Sequence, residues 1–137
     1  MNKFQFNQNP KEKSCGWRCL HFLIPEKMTY AAFLERFKYL QPLKKGIFLA
    51  TMASILDYYG IKATYGMPSE TGTYALWVRS EKWNFLGGHF LVYKDGYLYD
   101  SLEGDCYKLP LDKLGKLMET DKRKNCFVCM RVKEDEK

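Results

Sequence analysis

The sequence predicts an α+β fold, with N-terminal helices packed on an antiparallel β-sheet. Apolar residues recur at helical spacing as far as about residue 60. Beyond that point, runs rich in β-branched and aromatic residues are separated by Gly-containing breaks, and only one further helical stretch interrupts them. Helices first and strands afterwards give a segregated α+β architecture rather than an alternating one. The 137 residues are 46% apolar and 16% aromatic, which is enough for one domain with its own core, expected from about residue 8 to residue 132.

Each element follows from local pattern. After a polar opening containing Pro10 and Lys11-Glu12-Lys13, Ser14 stands where it can cap a helix running from about Cys15 to Leu23, and Pro25 stops it. A second helix is expected from Thr29 to Leu40, with Phe33, Phe37 and Leu40 on one face. A third spans Gly46 to Tyr59, with Phe48, Met52, Ile55, Leu56 and Tyr59 at helical intervals and Gly60 as its C-terminal stop. Strands are expected at 61–65, 73–79, 88–93, 97–101 and 125–132, with a short helix between Pro110 and Met118. The charged end, 133–137, reads as frayed.

Composition narrows the function classes. No apolar run approaches the ~18 to 20 residues of a membrane span, and the N-terminus has no basic start followed by an apolar stretch, so a cytoplasmic protein without membrane association is expected. Lys plus Arg number 22 against 16 Asp plus Glu, a net charge of +6. The basic residues are scattered, however. Their densest groups, Lys44-Lys45 and Lys122-Arg123-Lys124, are too short to track a phosphate backbone, so nucleic acid is not the expected partner. Five cysteines, at 15, 19, 106, 126 and 129, are an odd number that suits a reducing compartment better than a disulfide framework.

One cysteine stands apart. In Lys13-Ser14-Cys15-Gly16-Trp17, Cys15 falls where a polar loop turns into an apolar helix, and the positive end of a helix favours the thiolate, the nucleophilic form. Gly16 would leave backbone room for a substrate beside the sulfur. Read alone, Cys15 fits the commonest fate of a free cysteine, a small buried apolar residue. A nucleophile needs a base, and only two histidines exist. His21, six residues along the same helix, points to another face and reads as a partly exposed or core-edge residue. His89 remains.

The segment Gly87 to Ser101 reads as a hairpin with Asp95-Gly96 as a two-residue turn. That turn pairs Lys94 with Tyr97 and sets Leu91 opposite Asp100. His89 and Asp100 then become diagonal neighbours on one face, roughly 7 to 8 Å apart at the backbone. A carboxylate there holds one imidazole nitrogen and leaves the other for a thiol.

Cys-Gly at the head of the first helix, Gly-His-Phe-Leu-Val on one strand and Tyr-Leu-Tyr-Asp-Ser on the next resemble the papain-like cysteine peptidases. The order Cys, His, Asp is most similar to the bacteriocin-processing (C39-type) branch, and Tyr99-Asp100-Ser101-Leu102 resembles a phrase of adenovirus-type and SUMO-specific peptidases. The resemblance implies a papain-like fold, a protein or peptide substrate, and a triad of Cys15 as nucleophile, His89 as general base and acid, and Asp100 as its orienting carboxylate. Members usually carry a Gln six residues before the Cys to help bind the oxyanion. Here Asn9 is six before and Gln8 seven before; Gln8, with its longer amide, is the expected donor. The same triad serves acyl-transferring or deamidating enzymes, and the fold also occurs in binding modules.

Trp17 and Trp83 either wall a substrate cleft or fill the core. Cys126 and Cys129, three apart on a strand, read as core cysteines rather than as a metal or redox pair. A site built from Cys15, Cys19, Cys106 and His89 lacks a close-spaced ligand pair, so neither metal nor cofactor is expected.

Overall fold

A computed structural model describes residues 2–40, 46–79, 88–118 and 126–134. Trp83, Lys44-Lys45 and Lys122-Arg123-Lys124 lie outside them.

Helix α1, Cys15–Leu23, starts and ends where the sequence places it, but Ser14 does not cap it with its side chain. Its Oγ instead accepts a hydrogen bond from Arg18 Nε at 2.9 Å, because the guanidinium one turn along reaches back to it. Eight of the nine residues of α1 are buried, among them Trp17, Leu20, Phe22 and Leu23. Burial of each such side chain contributes about 1.5–3 kcal/mol, so the helix is held firmly against its neighbours. Helix α2, Tyr30–Phe37, is capped by Thr29, whose Oγ1 accepts from Ala32 N at 3.1 Å. It ends three residues short of expectation; Phe33 and Phe37 are buried, whereas Leu40 is exposed beyond the last turn. Helix α3, Leu49–Tyr58, begins late because Gly46 adopts φ +78° and Phe48 is extended, which leaves Phe48 exposed while Met52, Ile55 and Leu56 face the core. Gly60 follows with φ +73°, the left-handed conformation that ends a helix.

The strands are β1 (Ile61–Tyr65), β2 (Thr73–Arg79), β3 (His89–Lys94), β4 (Tyr97–Tyr99), β5 (Tyr107–Lys108) and β6 (Cys126–Glu134). They form one antiparallel sheet in the order β1-β6-β2-β3-β4-β5, so the last strand of the chain inserts between β1 and β2. It also runs two residues further than the sequence suggests, pairing Glu134 with Ile61. Asp95 and Gly96 take φ of 50° and 85°, as a type I′ turn demands, and the hairpin has the expected register: Lys94 with Tyr97, Tyr93 with Leu98, Val92 with Tyr99. Strand β4 stops before Asp100, whose side chain accepts from Leu102 N at 3.0 Å and whose carbonyl accepts from Glu103 N, turning the chain away from the ladder. The short β5 was not foreseen.

Both faces of the sheet are covered, which is why β3 is buried along nearly its whole length instead of alternating. Phe90 and Val92 point to the core shared with α1, α2 and α3. Leu91 and Tyr93 point to a second core with Leu76, Val78, Leu98 and Cys129, closed by Leu109 and by Leu114 of helix α4 (Leu111–Met118). Packing begins earlier than residue 8. The Asn2 side chain donates to the carbonyls of His21 and Glu26 and accepts from Met28 N, and Phe4 is buried against Phe22 and Tyr99. This pins the N-terminal segment across the end of α1, and Asn7 and Gln8 then bond through their backbones to Glu103 and Ser101. Among the described residues, no helix is long and apolar enough to cross a membrane.

Candidate active site

Cys15 is the first residue of α1, and α1 packs directly on β3. The sulfur therefore meets the start of that strand: Phe90 N–H donates to Cys15 Sγ at 3.5 Å, and the thiol lies near enough to the His89 side chain to help raise its pKa. His89 Nε2 lies 2.7 Å from Asp100 Oδ1, which leaves Nδ1 as the ring nitrogen turned to the thiol. The structure thus brings together Cys15, His89 and Asp100, three residues drawn from a helix start, a strand start and the turn that follows a strand.

His89 and Asp100 are essentially inaccessible to water. Burial by itself would push the imidazole toward neutrality. The hydrogen bond that the ring donates to Asp100 and the influence of the Cys15 sulfur together outweigh it, and the His89 pKa is raised to about 9. An imidazolium held between a carboxylate and a sulfur at neutral pH is the arrangement that can return a proton to a leaving group. Asp100 also bonds Leu102 N, so the carboxylate that orients the histidine is itself fixed by the turn that follows it.

Gln8 is buried. Its Oε1 accepts a hydrogen bond from the buried Ser101 hydroxyl, its Nε2 donates to Glu12 O at 2.6 Å, and its backbone N–H donates to Ser101 O at 2.7 Å. These contacts join Gln8 to the residue after Asp100 and to the segment leading into Cys15. Asn9 is exposed and spends its side chain on Lys11 N, while its carbonyl accepts from Glu12 N in a turn that lies between Gln8 and Cys15. Of the two amides, Gln8 is the one held inside.

Cys15 opens into a cleft of about 280 Å³. Glu12, Lys13, Ile47 and Phe48 line it, and Trp77 and Phe90 face them. Trp77 was missed by sequence reasoning. Its signal was Gly88, since a Cβ there would meet the Trp77 indole at 2.6 Å; the glycine lets the ring lie against the backbone just before His89. Trp17, by contrast, is a core residue packed on Phe33, not a cleft wall. Gly16 lines the cleft beside Cys15 and serves packing as well. A Cβ on it would come within 2.2 Å of Ile47 Cγ2 and 2.9 Å of Phe90 Cδ2.

The other thiols and the second histidine sit elsewhere. Cys19, one turn below Cys15, is fully buried, and burial together with the nearby Cys15 and Asp100 holds its thiol well above the usual range. Burial pushes the Cys129 thiol up to about 12. Cys126 shares strand β6 with it. Cys106 is half-buried beside Tyr99. His21 lies deeper than a core-edge position, between Tyr30 and Phe33 with Nε2 on Met28 O at 2.8 Å, and burial lowers its pKa. Among the described residues, no three His, Cys, Asp or Glu side chains are grouped closely enough to hold a metal ion. By sequence, the chain matches no protein-family model and no curated protein.

Proposed function

We propose that the protein is a papain-like cysteine peptidase, a thiol hydrolase that cleaves a peptide or isopeptide bond in a protein or peptide substrate. The observation that carries this reading is the continuous contact from Cys15 through His89 to Asp100, buried at one end and open to a cleft at the other.

In this reading the Cys15 sulfur, its proton held by His89, attacks the scissile carbonyl carbon and forms a C–S bond. The developing oxyanion is received by the Cys15 backbone N–H and by the Gln8 side-chain amide. The C–N bond breaks as His89 passes its proton to the departing amine, leaving a thioester. Water then attacks the thioester, His89 takes its proton, and the acid departs as the sulfur is regenerated. Asp100 keeps the imidazole in the orientation that both halves require.

The test is a panel of unfolded proteins, peptides and C-terminally extended ubiquitin-like domains, incubated with wild type and Cys15→Ala and read by intact mass. Two fragments that together equal substrate plus water, formed by the wild type alone, support hydrolysis. An uncut product with an amide turned to acid, or a cross-linked pair, assigns the same triad to deamidation or acyl transfer instead. No change in any substrate, with Cys15 no more reactive than the other thiols, overturns the proposal.

A further inference from the structure

Ser101 is fully buried and directly follows Asp100, yet the steps above do not use it. Its hydroxyl donates to Gln8 Oε1, and its carbonyl accepts Gln8 N–H at 2.7 Å. A glutamine amide can rotate by half a turn at almost no cost unless something distinguishes its oxygen from its nitrogen. The Glu12 carbonyl, which can only accept, supplies that distinction by taking one of the two Nε2 hydrogens at 2.6 Å. Oε1 then lies on the opposite side, where the Ser101 hydroxyl donates to it and anchors the amide at its second point. Glu12 in turn lines the cleft with Cys15. The polarity of the amide is therefore set by Glu12 O, and its plane and position are held by Ser101, on the same turn that fixes Asp100.

We infer that Ser101 is a positioning residue that holds the Gln8 amide with its N–H side toward the nucleophile, coupling the oxyanion donor to the triad carboxylate. This rests on the peptidase reading above. It also gives the one-residue displacement of Gln8 a physical answer: the 9–12 turn lets the chain fold back, and Ser101 orients the amide that the turn delivers.

The experiment compares two reactions of Cys15. Acylation by p-nitrophenyl acetate passes through a tetrahedral oxyanion, whereas alkylation by iodoacetamide does not. In Ser101→Ala, acylation of Cys15 is expected to fall by roughly tenfold or more while alkylation stays within about twofold of wild type, since the thiol and His89 are untouched. Ser101→Thr, which keeps the hydroxyl, should restore acylation. Ser101→Ala combined with Gln8→Ala should be no slower than Gln8→Ala alone, because both act through one amide. Equal loss of both reactions in Ser101→Ala, with no rescue by Thr, would make Ser101 merely structural and overturn the inference. So would additive losses in the double variant. Failure of the peptidase reading shows separately, as a wild-type Cys15 that reacts with neither reagent faster than Cys106.

Discussion

His89 Nε2 and Asp100 Oδ1 lie 2.7 Å apart, and neither side chain exposes more than 1% of its surface. Ionic pairs in water contribute little, but one sealed from solvent is strongly coupled, and removal of either partner leaves an unpaired buried group. The hairpin register brings the two residues together, and the turn after Asp100 keeps them there.

Asp100→Asn separates orientation from charge. The amide oxygen can still accept from Leu102 N, so the fold should survive with a loss of about 1–3 kcal/mol, measured by denaturant unfolding. Substrate cleavage should nevertheless fall at least about a hundredfold, because the imidazole loses the carboxylate that fixes its tautomer. Cleavage within a fewfold of wild type would remove Asp100 from the mechanism.

The raised pKa of His89 fixes a pH window. The folded-state value of about 9 stands above the ordinary 6.5, so the stability this pair adds is fully present below pH 6.5 and is lost as pH rises through about 9. The difference in unfolding free energy between wild type and His89→Ala should accordingly shrink across that interval. Peptide-bond cleavage should decline along the same alkaline limb, since the imidazolium is needed to protonate the leaving amine, and in Asp100→Asn that limb should move to lower pH. An alkaline limb unchanged by Asp100→Asn would contradict the assignment.

Gly16→Ala tests how tightly α1 is seated. The added methyl would collide with Ile47 and press on Phe90, two side chains that also border the cleft. A destabilisation of about 1–3 kcal/mol is expected in thermal or denaturant unfolding, accompanied by slower alkylation of the neighbouring Cys15. No change in either would mean that the helix start can shift freely.

How much of this was legible in the sequence depends on the range of the interaction. The start of α1, the Asp95-Gly96 turn and the His89–Asp100 pairing were readable because helix starts and hairpin registers are set by neighbours within a few residues. The end of α2 and the start of α3 were overextended, since an apolar stripe continues on paper past the turn after Phe37 that ends the one helix and ahead of the Gly46–Phe48 stretch that delays the other. Trp17 and Trp77 could not be told apart as core and cleft by type alone; that depends on which helix or glycine each ring meets in three dimensions. The buried contacts of Asn2, Phe4 and Gln8 were hidden for the same reason, because a segment without periodic pattern gives no sign of what it docks against.

The central claim is tested most directly by mapping which thiols react with limiting iodoacetamide near neutral pH, in wild type and in His89→Ala, by peptide mass. The account predicts that Cys15 is labelled at least about tenfold faster than Cys106, that Cys19 and Cys129 stay unlabelled while folded, and that the advantage of Cys15 disappears without His89. Slow labelling of Cys15 at the rate of the other cysteines, or fast labelling indifferent to His89, would contradict it.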